Sequence, residues 1–297
     1  MKKWILLFTM MFLMNETHAQ LPVPSAGRIV RIPDFQSRFV QPRNIDVWLP
    51  EGYSNTEKYA VIYMHDGQML YDSTLTGNKQ EWQVDEVFSA LIDEQEIQAC
   101  IVVGIWNNAE YRHAEYFPEK PLASLDENLR DSIVATWLKG KPLADNYLKF
   151  IIHELKPCID QKFATLPDLD HTFIAGSSMG GLISMYAICE YPDIFKGAAC
   201  LSTHWPGTFE QNDFIPQAFN WYLTENLPDP ASHQFYFDYG TETLDSLYEK
   251  HQLVIDKTMI LKGYDHTNRI TLKFPGEDHP ERSWAKRLHT PFIFLLK

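Results

Sequence analysis

Positive charge is scarce in this chain: 26 Lys and Arg stand against 39 Asp and Glu, a formal net charge of −13. No basic run exceeds two residues. Nucleic acids and anionic membrane surfaces are held by clusters of Lys and Arg, so both are set aside as partners. Cysteine is sparse as well, at four residues. Cys100 and Cys200 lie in apolar, strand-like runs, and Cys158 and Cys189 on expected helices, which favours buried free thiols. Only Cys158 and Cys189, flanking one strand, could approach each other as a bridge. Neither Cys-x-x-Cys nor His-x-x-x-His spacing occurs to mark a structural metal, and no cofactor is expected. Repeats, low-complexity tracts and Pro/Ser linkers are missing too.

Long apolar runs are confined to the first residues. Lys2 and Lys3 precede an apolar stretch over residues 4–14, followed by a polar segment ending at Ala19. The run is too short to span a bilayer comfortably, so it is read as an export leader cleaved after Ala19 rather than a membrane anchor. Loss of Lys2, Lys3 and Glu16 would leave the remainder one unit more negative. Residues 20–297 are then expected to form a single domain, exported to the periplasm or beyond. Nothing in the sequence fixes its oligomeric state.

What is present is an ordinary globular composition, 45% hydrophobic and 22% charged over 297 residues, enough for one large α/β domain. Residues 28–32 and 44–49 alternate like an opening hairpin. Residues 59–64 and 100–105 are continuous apolar runs, as expected of strands buried on both faces. Between them, 81–96 carries an apolar face at helical spacing. A polar and aromatic insertion follows at 106–141, then a helix over 144–163. Further strands are expected at 171–175, 197–202, 234–239 and 270–274. Helices are expected over 181–190, 244–261 and from 281 onward. Strands alternating with helices imply a mostly parallel sheet with helices on both faces. Ligands in such folds bind at the carboxyl ends of the strands.

The stretch Gly176-Ser177-Ser178-Met179-Gly180 carries the chemistry. A G-x-S-x-G between strand and helix is a nucleophile elbow, so tight that its flanks must lack side chains and its serine is pushed above the sheet. The pattern alone is weak; the strand before it and the helix after it are what give it weight.

A serine nucleophile needs a base, a carboxylate to orient that base, and donors for the oxyanion. In α/β-hydrolases the order is Ser, then Asp or Glu, then His. His279 fits, in the loop Pro275-Gly-Glu-Asp-His279 after a late strand. His233, His251, His266 and His289 fall before strands or within helices. The acid should follow the preceding strand, where Glu242 and Asp245 both offer carboxylates; loop position favours Asp245, whose plainer role would be a helix cap. The oxyanion donors are assigned to the backbone N–H groups of Met179 and Gln68, the latter in the turn His65-Asp66-Gly67-Gln68-Met69. His204 and Trp205, just past the strand after the elbow, are placed near the mouth of the site.

These motifs together resemble one family. Gly-Ser-Ser-Met-Gly-Gly at 176–181, Met64-His-Asp-Gly-Gln68, and Gly276-Glu-Asp-His279 ahead of Glu281-Arg-Ser-Trp284 are similar to the esterase family that includes enterochelin esterase-like enzymes, esterase D and the feruloyl and acetylxylan esterases. The resemblance covers nearly all of the chain past the leader. It implies an α/β-hydrolase fold, Ser178 as nucleophile, His279 as base, and Gln68 and Met179 as oxyanion positions. The family often carries its acid three or four residues past the glycine that ends the strand; here those positions are Thr243 and Leu244, neither of them acidic. Some relatives use a Ser–His pair alone. The segment around Arg112 also looks family-like, with Arg112 either gripping an acidic group of the substrate or pairing with Glu115.

The expected function is therefore an exported serine esterase acting through an acyl-enzyme on a small-molecule or carbohydrate-linked ester, with siderophore-type esters included. An acyltransferase using the same residues, and a catalytically silent scaffold that binds a sugar or protein, are the competing readings.

Overall fold

The structure is a computed structural model that describes residues 19–297. The expected leader, apart from Ala19, lies outside the described residues. Strands and helices follow in order: β1 (Arg28–Phe35), β2 (Arg43–Leu49), β3 (Ala60–His65), α1 (Val84–Asp93), β4 (Cys100–Ile105), α2 (Arg112–Tyr116), α3 (Glu127–Thr136) and α4 (Ala144–Phe150). A π-helical turn, Ile151–Leu155, joins α4 to α5 (Lys156–Lys162). The second half comprises β5 (Thr172–Ser177), α6 (Met179–Glu190), β6 (Gly197–Leu201), α7 (Phe214–Asn226), β7 (Gln234–Gly240), α8 (Glu249–Leu261), β8 (Arg269–Phe274), α9 (Glu281–Ala285) and α10 (His289–Leu296).

The eight strands form one sheet in the order β1-β2-β4-β3-β5-β6-β7-β8. β1 and β2 are antiparallel, as expected from their hairpin pattern, and β2 runs antiparallel to β4. Every other pairing is parallel. This is the fold of α/β-hydrolases.

Alternation along the central strands divides the core in two. Val61, Tyr63, Ile101, Val103, Ile174 and Phe235 face α4 to α8. Ile62, Met64, Val102, Phe173, Ala175 and Tyr236 face α1 and the α9–α10 segment. Side chains of period two on strands buried on both sides give continuous apolar runs, and each face excludes water under its own layer of helices.

Several expected elements change shape. The 106–141 insertion contains α2, a 3-10 turn at Lys120–Ser124 and α3. The segment after β6 holds the thirteen-residue α7. The helix expected from 244 starts as a 3-10 turn, Thr243–Leu247, before α8. All four cysteines are free; Cys100, Cys189 and Cys200 are buried, whereas Cys158 is half-exposed. No helix among the described residues is long and apolar enough to cross a membrane.

Candidate active site

Ser178 stands between β5 and α6 with φ 58° and ψ −121°, a left-handed conformation that is strained for any residue but glycine. The turn is held by close backbone approach. A Cβ on Gly176 would lie 2.8 Å from the Gly180 carbonyl oxygen and 2.9 Å from the His65 ring, so only glycine fits. The turn also leaves the Met179 N–H in the first turn of a helix, where no intrahelical acceptor exists.

The sheet order brings the end of β8 beside the end of β7. Asp245, in the 3-10 turn after β7, is fully buried, and its Oδ1 faces Nδ1 of His279. Its Oδ2 accepts hydrogen bonds from the Gly240 N–H and the Ser202 hydroxyl, each 2.6 Å. Glu242 instead is exposed, its carboxylate accepting from the Thr241 hydroxyl at 3.3 Å. Of the two carboxylates that sequence left open, Asp245 is the one beside the imidazole. The His279 ring is fixed edge-on between Trp284 (5.1 Å between centroids) and Tyr248 (5.7 Å), and the backbone N–H of His279 donates to Thr243 Oγ1 at 3.2 Å.

Asp245 rests on a buried network that sequence reasoning missed. The Ser202 hydroxyl accepts from Trp284 Nε1 (3.0 Å) and from Arg287 Nη2 (2.8 Å). Arg287, itself buried, also pairs with Asp238 at 3.0 and 3.2 Å. Burial pushes the Asp238 carboxyl above its ordinary value, against the opposing pull of Arg287. Asp238 holds this arginine and does not reach the imidazole.

Ser178, His279 and Gln68 line one cleft of about 430 Å³, with Met69, Trp82 and Trp284 as apolar lining. Asp66, Asn78, Asn107, Arg112 and Glu281 supply its polar rim. Gln68 sits in a 3-10 turn, Gly67–Met69, whose first hydrogen bond runs from the Met69 N–H to the Asp66 carbonyl at 2.8 Å. The Gln68 N–H therefore lies ahead of the turn's own bonding.

The three residues expected to face substrate divide. Arg112 lines the cleft, but it pairs with Asp66 through two hydrogen bonds of 2.7 Å and not with Glu115. Glu115 is buried on Arg43 at 2.6 and 2.9 Å. Burial pushes the Asp66 carboxyl up, yet the Arg112 guanidinium outweighs it and holds the group below the usual carboxylate range. His204 and Trp205 do not line the cleft. His204 is buried with Nδ1 on the Tyr248 hydroxyl at 2.8 Å, and burial beside His279 and His113 depresses its pKa to about 3. Trp205 is wholly buried, its indole N–H given to Gln252 at 2.9 Å. The chain turns inward after β6, which carries both side chains beneath the mouth. No cluster of metal-ligating side chains occurs among the described residues.

The profile of the Esterase family, described as "Putative esterase", matches residues 37–288. Over 165 residues the chain is 27% identical to the uncharacterized protein YbbA of Bacillus subtilis strain 168, a stretch covering 55% of this chain and 58% of that protein. The chain spans about three fifths of the length of such curated relatives. Among solved structures it is similar to a ferulic acid esterase, with a TM-score of 0.66 and 20% identity over 91% of this chain and 97% of that one. It is also similar to the enterobactin esterase FES of Shigella flexneri, with a TM-score of 0.68 and 16% identity over 92% and 60% of the two chains. At these identities the likeness to solved structures concerns the fold.

Proposed function

Because the chain belongs to the Esterase family, we propose that it is a serine carboxylic ester hydrolase with Ser178 as nucleophile, His279 as base and Asp245 as the acid that orients it. The observation that carries this reading is the buried Asp245 carboxylate on His279 Nδ1, with that imidazole and Ser178 opening onto one cleft. Nδ1 engaged by the acid leaves Nε2 as the basic nitrogen. His279 takes the Ser178 proton as Oγ attacks the ester carbonyl. The Gln68 and Met179 N–H groups receive the negative charge on the carbonyl oxygen. His279 then protonates the departing alcohol, and a water deprotonated by the same imidazole hydrolyses the acyl-enzyme.

The substrate is an ester whose acyl or alcohol part carries a flat ring. Trp82, Trp284 and Met69 offer apolar area, while Asn78, Asn107 and Glu281 can hydrogen-bond ring hydroxyls. Aromatic esters, in line with the names of the ferulic acid and enterobactin esterases, and carbohydrate-linked esters fit that wall. Residues 20–297 would act as one exported domain, the leader ending at Ala19.

A fluorophosphonate probe followed by peptide mass mapping tests the assignment. An adduct on Ser178, with hydrolysis of acetyl, feruloyl or catecholate esters, is expected. An unlabelled serine would make this a binding scaffold, and acyl transfer to an alcohol outrunning hydrolysis would make it an acyltransferase.

A further inference from the structure

Among the described residues lining the cleft, Arg112 is the one Lys or Arg, and its plainest use would be to bind an anionic substrate. Its contacts point elsewhere. The guanidinium gives Nε and Nη2 to the two oxygens of Asp66, both at 2.7 Å, a bidentate fork in which the charges cancel. The Tyr116 ring lies 5.0 Å beneath it. Asp66 takes a third hydrogen bond from Asn107 Nδ2 at 2.6 Å. The same Asn107 gives its backbone N–H to Gln68 Oε1 at 3.1 Å.

These contacts converge on the turn that carries the Gln68 N–H. Asp66 precedes it in the left-handed region, with φ 57° and ψ 43°, a conformation that costs a non-glycine residue free energy unless its surroundings hold it. On its other side the turn presses against β4: a Cβ on Gly67 would fall 2.5 Å from the Gly104 carbonyl carbon. The Asp66 and Gln68 side chains are tied by the loop after β4, and the backbone between them rests on β4 itself.

We propose that Arg112 and Asn107 act through Asp66 as a clamp that positions the oxyanion turn, and that Arg112 is not a receptor for substrate charge. The inference rests on the serine esterase reading above. A donor displaced by about 1 Å costs on the order of 100-fold in rate, because it no longer meets the oxygen where charge develops. The clamp therefore belongs to the transition state, not to ground-state binding.

The test measures kcat and KM for a neutral acetyl ester and for an ester bearing a carboxylate, together with the rate of Ser178 phosphonylation by a neutral fluorophosphonate, in Arg112→Met and Asn107→Ala. Both variants are expected to lose about 10- to 100-fold in kcat and in phosphonylation alike, with KM within about twofold of wild type. Arg112→Lys keeps the charge but loses the fork, and the same loss is expected from it. It also stands in for Arg112→Met should that protein melt early by circular dichroism. A rise in KM confined to acidic esters, with phosphonylation unchanged, overturns the clamp in favour of substrate binding. Unchanged kcat in all three variants overturns it as well. A wild-type protein whose Ser178 resists the probe sinks the parent reading, and the clamp with it.

Discussion

Asp245 accepts a 2.6 Å hydrogen bond from the Ser202 hydroxyl on the carboxylate oxygen opposite the one that faces His279. A carboxylate held on both oxygens cannot swing away, so the imidazole it meets is fixed in direction and tautomer. Arg287 and Trp284 hold the serine in turn, and the chain of contacts runs from α9 and its following turn back to the end of β6.

Asp245→Asn should lower kcat by about 10⁴-fold, the scale seen when the acid of a serine triad becomes an amide and the imidazole is held in the wrong tautomer. Glu242→Gln should stay near wild type, because Glu242 is exposed and its carboxylate bonds Thr241, not the ring. Steady-state hydrolysis of one ester by both variants decides the matter, and equal losses would return the assignment to ambiguity between the two carboxylates.

Ser178→Ala should abolish phosphonate labelling and reduce turnover by at least about 1,000-fold, with an unchanged thermal transition. Removing one hydroxyl from a strained turn leaves the packing of β5 and α6 intact. Ester cleavage persisting at the wild-type rate would remove Ser178 from the mechanism.

Arg287→Met should destabilise the protein by about 3–5 kcal/mol, since it strands the buried carboxylate of Asp238 without its cation. Pairing it with Asp238→Asn should recover part of that loss. Chemical denaturation of the two variants reads the difference; a single variant as stable as wild type would mean that the pair contributes nothing net.

Stability should fall as the solution is acidified from about pH 6.5 toward 4. Burial depresses the imidazole pKa of His65 and of His204 to about 3 and that of His113 to about 4. An unfolded imidazole titrates near 6.5. Below that value the unfolded chain takes up protons that the native protein refuses, so each such histidine adds up to about 1.4 kcal/mol of lost stability per pH unit. The stabilisation is complete above 6.5 and is lost on the way down. Urea midpoints at pH 7.5 and 5.0 test this, and His65→Asn, which removes a ring whose Nδ1 bonds Tyr147 at 2.8 Å, should flatten the slope. Equal midpoints at the two pH values would contradict it.

Those parts of the site built from short, local signals were legible in the sequence. The elbow around Ser178 needs small residues at fixed offsets, and His279 falls in a loop whose place the strand order dictates. Asp245 and Glu242 could not be separated that way: both sit in the same short turn, and burial, a tertiary property, distinguishes them. Arg112 and Asp66 are 46 residues apart and Arg43 and Glu115 are 72, so neither pairing leaves a local trace. The nearer partner, Glu115, was the natural guess for Arg112 and the wrong one. Helix α7 was hidden because its apolar residues do not keep to one side: Phe214 and Trp221 are exposed while Ile215, Phe219 and Tyr222 are buried. Trp205 was misplaced since position after a strand says nothing of whether the chain next turns outward or in.

Strand β8 lies at the end of the sheet and is half-buried along most of its length, paired with β7 alone. The loop that bears His279 is thus suspended from an edge rung of the ladder, whereas Ser178 hangs from its middle. Segments with few buried contacts detach at lower free energy than the body of a protein. Gentle heating or dilute denaturant should consequently silence the molecule reversibly while its central strands still exclude solvent, so that inactivation precedes melting.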